Sequence, residues 1–170
     1  YKESDLEYTE TFKAHIGGGF GFGQIDATDT EEIQILGEFG FKYKGMSLSG
    51  EYHNRKNPGL DAKGGTLHDQ GFFVQGGYFV IPEKLEIAGR YELIDYDNQN
   101  PSAGTGLGAL LFPNEILHNM RFYTAGLNYF LNDRNHKIQI NYKYKKAEQS
   151  GLIVSDVTDN VVLTQYQICF

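Results

Sequence analysis

The chain has 170 residues, of which 40% are hydrophobic, and a formal net charge of −7. This length suits one domain with its own core, and the negative charge argues against nucleic-acid binding. No run of about 20 apolar residues occurs, so no membrane-spanning helix is predicted. The single cysteine, Cys169, excludes an internal disulfide. Because the chain begins at Tyr1 and not at Met, we expect a processed product or a fragment.

The alternation of apolar and polar residues predicts eight strands and no convincing helix. Residues 1–10 are polar and without a period, which indicates a tail, a loop or a truncation point. The remainder forms a single β domain, or the C-terminal half of one. The predicted strands lie at about 11–23, 33–44, 46–55, 70–80, 85–95, 120–131, 137–146 and 161–170.

Long and short connections alternate between these strands. Lys44-Gly45, the stretch 81–84 and the stretch 132–135 predict tight turns. Longer loops separate the other strands, at about 24–32, 56–69, 96–119 and 147–160. Transmembrane β-barrels alternate short and long connections in this way, because short turns lie on one side of the membrane and long loops on the other.

Every predicted strand has one phase free of charged residues. Gly and aromatic residues are frequent in this phase, with 21 Gly and 24 Tyr plus Phe in the chain. Side chains alternate between the two faces of a strand, so the opposite phase forms a second, polar face. The ionised residues predicted on that face, as candidate pore-lining residues, are Lys13, Glu38, Lys42, Glu51, Glu86, Arg90, Glu92, Lys143 and Lys145.

Aromatic residues of the apolar phase are predicted to form two bands around an aliphatic middle, as the two interfaces of a bilayer select. The band at the short-turn side comprises Phe12, Phe41, Tyr43, Tyr78, Tyr129 and Phe170. The band toward the long loops comprises Phe20, Phe22, Tyr52, Phe72, Tyr91, Tyr123 and Tyr144.

The last strand has a clean apolar phase that ends in an aromatic residue. Tyr166, Ile168 and Phe170 alternate with Gln165, Gln167 and Cys169. This ending resembles the C-terminal signature of bacterial outer-membrane barrels, which implies recognition by the barrel assembly machinery. The alternative is the edge strand of a soluble sheet.

The stretch from Gln75 to Tyr91 reads strand, Ile81-Pro82 turn, strand. This stretch, the segment from Gly126 to Asn132, and the terminal Gln165–Phe170 resemble the C-terminal half of the phosphate-selective porin O and P family. The resemblance extends over about 70–170 and more loosely over 11–69. It implies an all-β, antiparallel up-and-down transmembrane β-barrel in the bacterial outer membrane. Members of that family form 16-stranded, usually trimeric channels, so the eight strands here correspond to about half of such a barrel.

The function predicted on this basis is a porin, a passive diffusion channel for small hydrophilic solutes or ions, including anions such as phosphate. The polar phase balances acids against bases, which opposes strong phosphate selectivity. Two alternatives remain open: a small closed eight-stranded barrel with a structural or adhesive role, and a soluble lipocalin-like ligand-binding barrel. Two features disfavour the soluble barrel: the chain contains no Trp, and it ends in an aromatic residue, Phe170.

Catalytic and cofactor readings have little support. The five histidines, at 15, 53, 68, 118 and 136, lack metal-ligand spacing, and no nucleophile motif accompanies them. We predict no enzyme activity, metal or cofactor, and we place His68, Asp69 and His118 on loops. The Gly- and Leu-rich stretch 104–112 is a candidate for folding into the lumen, with a flexible outer loop as the alternative.

Overall fold

A computed structural model describes residues 4–25, 30–58, 66–96, 117–132, 136–149 and 156–168. These residues are all-β, as predicted, and none of their segments is a helix of the length and apolarity needed to cross a membrane. The strands are β1 (Lys13–Ile25), β2 (Thr30–Tyr43), β3 (Met46–Pro58), β4 (Thr66–Ile81), β5 (Leu85–Tyr96), β6 (Leu117–Asn132), β7 (His136–Gln149) and β8 (Val157–Ile168).

The eight strands form one sheet in sequence order, and each pairs antiparallel with the next. This up-and-down order was predicted. The sheet is not closed: within the described ranges, β1 and β8 each pair on one edge only. The closed eight-stranded barrel is therefore not the arrangement seen, because closure requires β8 to pair with β1.

Cross-strand register confirms that the predicted apolar phases of all eight strands lie on one face of the sheet. One row of paired residues, for example, runs from Ile16 through Phe39 and Gly50 to Tyr91 and Tyr123. We call this the apolar face and its opposite the polar face. Most of the exposed large hydrophobic side chains are on the apolar face, and Ile16 on the edge strand β1 is 89% exposed.

The long-loop ends of the strands were predicted too short. β3 continues to Pro58, β4 begins at Thr66, and β7 continues to Gln149. His68 and Asp69 consequently lie in β4, and His118 lies in β6, and not on loops. Backbone pairing continues beyond the apolar band because a ladder needs only N–H and C=O groups, whereas the alternation pattern stops where polar residues occupy both phases.

Part of the apolar face carries an aromatic ladder near the long-loop end. Tyr91, Tyr123 and Tyr144 are register partners on β5, β6 and β7, with ring centroids 5.1 and 6.1 Å apart. Phe72 adds an edge-to-face contact with Tyr91 at 5.7 Å. All four belong to the predicted long-loop band. Such contacts stabilise neighbouring strands beyond simple area burial.

Residues before β1 form a strap across the β2–β3 turn and not a free tail. Asp5 is 2% exposed, and its carboxylate accepts hydrogen bonds from Thr9 N at 3.0 Å and from Gly45 N at 2.8 Å. Lys44 N donates to Thr9 O at 2.8 Å. We call residues 4–9 the strap. Hydrogen bonds of Asp5 and Thr9 hold the strap in place, and no periodic pattern in the sequence marks these two residues.

Several predictions lie outside the described residues. These are the lumen-folding stretch 104–112 and the terminal Phe170, together with residues 1–3 of the predicted tail.

Candidate functional site: the polar face of the sheet

All nine ionised residues predicted for the pore wall lie on the polar face. Register links Glu38 to Glu51, and then through Phe73, Glu92 and Phe122 to Lys145. A second row links Arg90 to Lys143 through Thr124. Lys13 pairs with Lys42, and Glu86 lies on the same face at the short-turn end. Whether this face lines a pore stays a prediction.

Three charged side chains on β5 and β7 form what we call the ionic cluster: Arg90, Glu92 and Lys143. Arg90 Nη2 lies 3.0 Å from Glu92 Oε1, and Lys143 Nζ lies 3.5 Å from Glu92 Oε2. Arg90 Nη1 also donates to Gln75 Oε1 at 2.8 Å. One carboxylate therefore holds two cations, and the cluster keeps a net positive charge.

The two cations of the ionic cluster each contact the ring of a phenylalanine on the polar face. The Arg90 guanidinium lies 3.9 Å from the Phe73 ring centroid, and Lys143 Nζ lies 4.3 Å from that of Phe122. Both distances are within the range of cation–π attraction. The rings limit the rotation of the long cationic side chains, so the charges are held close to the wall.

Two acidic residues of the polar face are paired between β2 and β3. Glu38 and Glu51 are direct register partners, and Glu51 contacts His53 Nε2. Gly17 on β1 is the register partner of Glu38, and a methyl group at position 17 would collide with the Glu38 carboxylate. Further acids of the polar face lie on β5, and its bases lie on β1, β2, β5 and β7, so both signs of charge are spread along this face.

Burial within the described sheet concentrates at the short-turn end of the polar face. We call this group the basal cluster; its members are Lys42, Ser47, Phe79, Glu86, Asn128 and Phe130. Phe79 is 1% exposed and lies 5.5 Å from Phe130, between ring centroids. Asn128 Nδ2 donates to Glu86 Oε2 at 2.9 Å, and Lys42 Nζ donates to Ser4 O of the strap at 2.6 Å.

Sequence reasoning missed the aromatic and amide members of the polar face. Phe79 and Phe130 interrupt the alternation in the runs Tyr78-Phe79-Val80 and Tyr129-Phe130-Leu131. This interruption was the one sign in the sequence that both rings are buried on the polar face. Gln75 and Asn128 are uncharged, so the pattern of ionised residues does not mark them as part of a site. No local pattern in residues 4–9 indicated that the strap would reach Lys42.

The residues predicted as an assembly signal lie at the end of β8. Tyr166 is exposed on the apolar face, and its hydroxyl lies 3.0 Å from His136 Nδ1. Ile168 is the register partner of His136. Their recognition by the assembly machinery stays a prediction, and Phe170 lies outside the described residues.

Within the described ranges, no three His, Cys, Asp or Glu side chains come together in a group that could hold a metal ion. Asp69, predicted beside a loop histidine, instead accepts a hydrogen bond from Arg55 Nε at 3.1 Å. Its carboxylate is therefore paired across β3 and β4.

Eight long antiparallel strands in up-and-down order, with one apolar face and one charged face, are consistent with a fragment of a porin-type β-barrel. The sequence profile described as "phosphate-selective porin O and P" matches residues 22–170. The chain belongs to this family. No curated protein and no solved structure matches it.

Proposed function

We propose that this chain is the wall of an outer-membrane porin, through which small hydrophilic solutes and ions diffuse passively. The observation that carries the proposal is the division of the sheet into two faces, with exposed hydrophobic side chains on one and the ionic cluster on the other. In a barrel that spans a bilayer, the apolar face contacts lipid and the polar face contacts water. Membership in a porin family supports this assignment and a channel role, not an enzymatic one.

The open sheet supports a barrel larger than eight strands. In hydrocarbon, unpaired backbone N–H and C=O groups cost several kcal/mol each, so an open edge does not persist there. β1 and β8 each present such an edge within the described ranges. We propose that further strands pair with these edges in a barrel of about 16 strands that assembles as a homotrimer. The barrel assembly machinery would insert it by recognising the terminal strand.

Burial on the polar face argues against the lipocalin-like alternative. A soluble ligand-binding barrel turns its apolar residues inward, whereas here Lys42, Glu86 and Asn128 are buried and the apolar face is exposed. Burial of polar side chains on the polar face supports a porin wall over a soluble ligand-binding barrel.

Charge on the polar face supports a weakly selective channel that admits anions such as phosphate. Arg90, Lys143 and Lys145 supply positive charge, but Glu92 pairs with the first two, and Glu38 and Glu51 lie on the same wall. We therefore propose that anions pass without strong preference over cations.

Reconstitution of the full chain, isolated from outer membranes, tests this function. We expect heat-modifiable migration on a detergent gel, stepwise conductance in planar bilayers, and a small reversal potential in a KCl gradient. A detergent-free soluble monomer without conductance would refute the porin assignment. A reversal potential strongly favouring cations would refute the passage of anions.

A further inference from the structure

A pocket of about 260 Å³ lies on the polar face between the ionic cluster and the basal cluster. Its lining comprises the backbone of Gly77 and Gly126 together with polar side chains, among them Glu86, Asn128 and Asn141. A methyl group at Gly77 would collide with the Glu86 carboxylate, and one at Gly126 with Asn141 Oδ1. The missing side chains of Gly77 and Gly126 therefore leave the space that the Glu86 and Asn141 side chains occupy over the neighbouring strands.

One polar atom of this pocket lacks a partner. Asn128 is 8% exposed and donates through Nδ2 to Glu86, but its Oδ1 has no hydrogen-bond partner within the described part of the chain. A buried acceptor without a donor is unfavourable, so native structures nearly always satisfy such atoms. Oδ1 is itself closed to solvent in this conformation, so a ligand that offers a hydrogen-bond donor would satisfy it once the Asn128 side chain turns toward the pocket.

The charged residues that line the pocket limit which kind of ligand could supply this hydrogen-bond donor. Glu86 supplies a buried negative charge, whereas Arg90 and Lys137, on the same lining, are positive. An oxyanion such as phosphate accepts hydrogen bonds and would meet the acceptors of Glu86 and Asn128 unfavourably. A cation would meet Arg90 and Lys137. Hydroxyl groups both donate and accept, and they carry no charge, so they fit both sides of the lining.

We propose that this pocket is a subsite for a small neutral polyol of monosaccharide size, passing along the channel wall. Its volume lies just below the ~300–1,000 Å³ of pockets that hold drug-sized ligands, which limits the occupant to a small solute. The amides of Gln75, Asn128, Gln139 and Asn141 would bind successive hydroxyl groups. The subsite rests on the proposed channel function, because the solute reaches it from the lumen.

The test is the effect of glucose on single-channel current of the full chain in planar bilayers, after correction for the change in bulk conductivity. We expect a saturable fall in current with glucose and no comparable effect of inorganic phosphate at equal concentration. Asn128→Leu, which removes the acceptor at similar volume, should weaken the apparent glucose affinity at least about fivefold. Gln34→Leu removes an amide from the same face outside the pocket and should leave the affinity unchanged.

Asn141→Leu provides a second test should Asn128→Leu fail to fold, because it is Asn128, and not Asn141, that donates a hydrogen bond to the buried Glu86 carboxylate. The inference is overturned if channels form but glucose does not occupy them. It is equally overturned if glucose binds with unchanged affinity in these variants, or if phosphate proves to be the saturable occupant. A chain that forms no channel overturns the proposed function itself.

Discussion

In the proposed channel, Glu92 would limit the positive charge that the polar face offers to a passing ion. Its carboxylate pairs with Arg90 at 3.0 Å and with Lys143 at 3.5 Å, while Phe73 and Phe122 hold the same cations near the wall. Because the two ring contacts do not involve Glu92, we expect its removal to change the charge of the cluster more than its geometry.

We therefore expect Glu92→Gln to increase the preference for anions. In water a unit charge about 4 Å from a passing ion is worth about 1 kcal/mol, so removing it should raise the chloride-to-potassium permeability ratio by up to roughly 5-fold. The measurement is the reversal potential in a KCl gradient. Glu51→Gln is the matched control, because Glu51 lies in the same register row beyond Phe73 but does not contact the two cations. Equal shifts in the two variants would mean that Glu92 acts only through total charge.

At the scale of elements, the β2–β3 turn depends on one glycine and on the strap. Gly45 has a φ of +79°, its N–H donates to Asp5, and its carbonyl accepts from Phe79 N at 3.0 Å. An added Cβ would lie 2.6 Å from the Tyr8 ring. The turn, the strap and β4 are thus coupled at a single position.

Gly45→Ala should destabilise the folded barrel. The left-handed conformation costs an L-residue about 1–2 kcal/mol, and the collision with Tyr8 adds to this cost. The measurement is the urea midpoint of the folded band on unheated detergent gels, which should fall. Gly37→Ala in β2 is the control, since a Cβ there meets no atom within 4 Å. An unchanged midpoint for Gly45→Ala would show that the strap does not restrain the turn.

Alternation along the strands predicted the number of strands, their antiparallel order and which residues share a face. It did so because an apolar face and a polar face on opposite sides of one sheet leave a period of two in the sequence. The strand ends at Pro58, Thr66 and Gln149 were missed because pairing continues where both phases are polar. The strap and the Glu86–Asn128 pair were missed because they depend on tertiary contacts between residues about 40 positions apart, which no local pattern encodes.

At the scale of the whole molecule, the two faces should respond oppositely to charge. Ile140 and Gln139 are neighbours in β7 on the apolar and polar faces respectively. We expect Ile140→Arg to lose about 2–4 kcal/mol of stability in the membrane, because a lipid-facing Arg near the midplane is costly. The measurement is the amount of folded protein in the outer membrane, with Gln139→Arg as the control that should be tolerated. Equal loss in both variants would contradict the assignment of faces.

In the assembled membrane, we expect the polar face to contact water and the apolar face to contact lipid. Ile87 and Ala88 are adjacent in β5 on opposite faces, and Ala88 lines the polar pocket. In a chain carrying Cys169→Ser, we would compare Ile87→Cys with Ala88→Cys by their labelling rates with a charged, water-soluble thiol reagent in outer-membrane vesicles. The account predicts rapid labelling of Ala88→Cys and protection of Ile87→Cys. Equal rates at both positions, or faster labelling of Ile87→Cys, would contradict it.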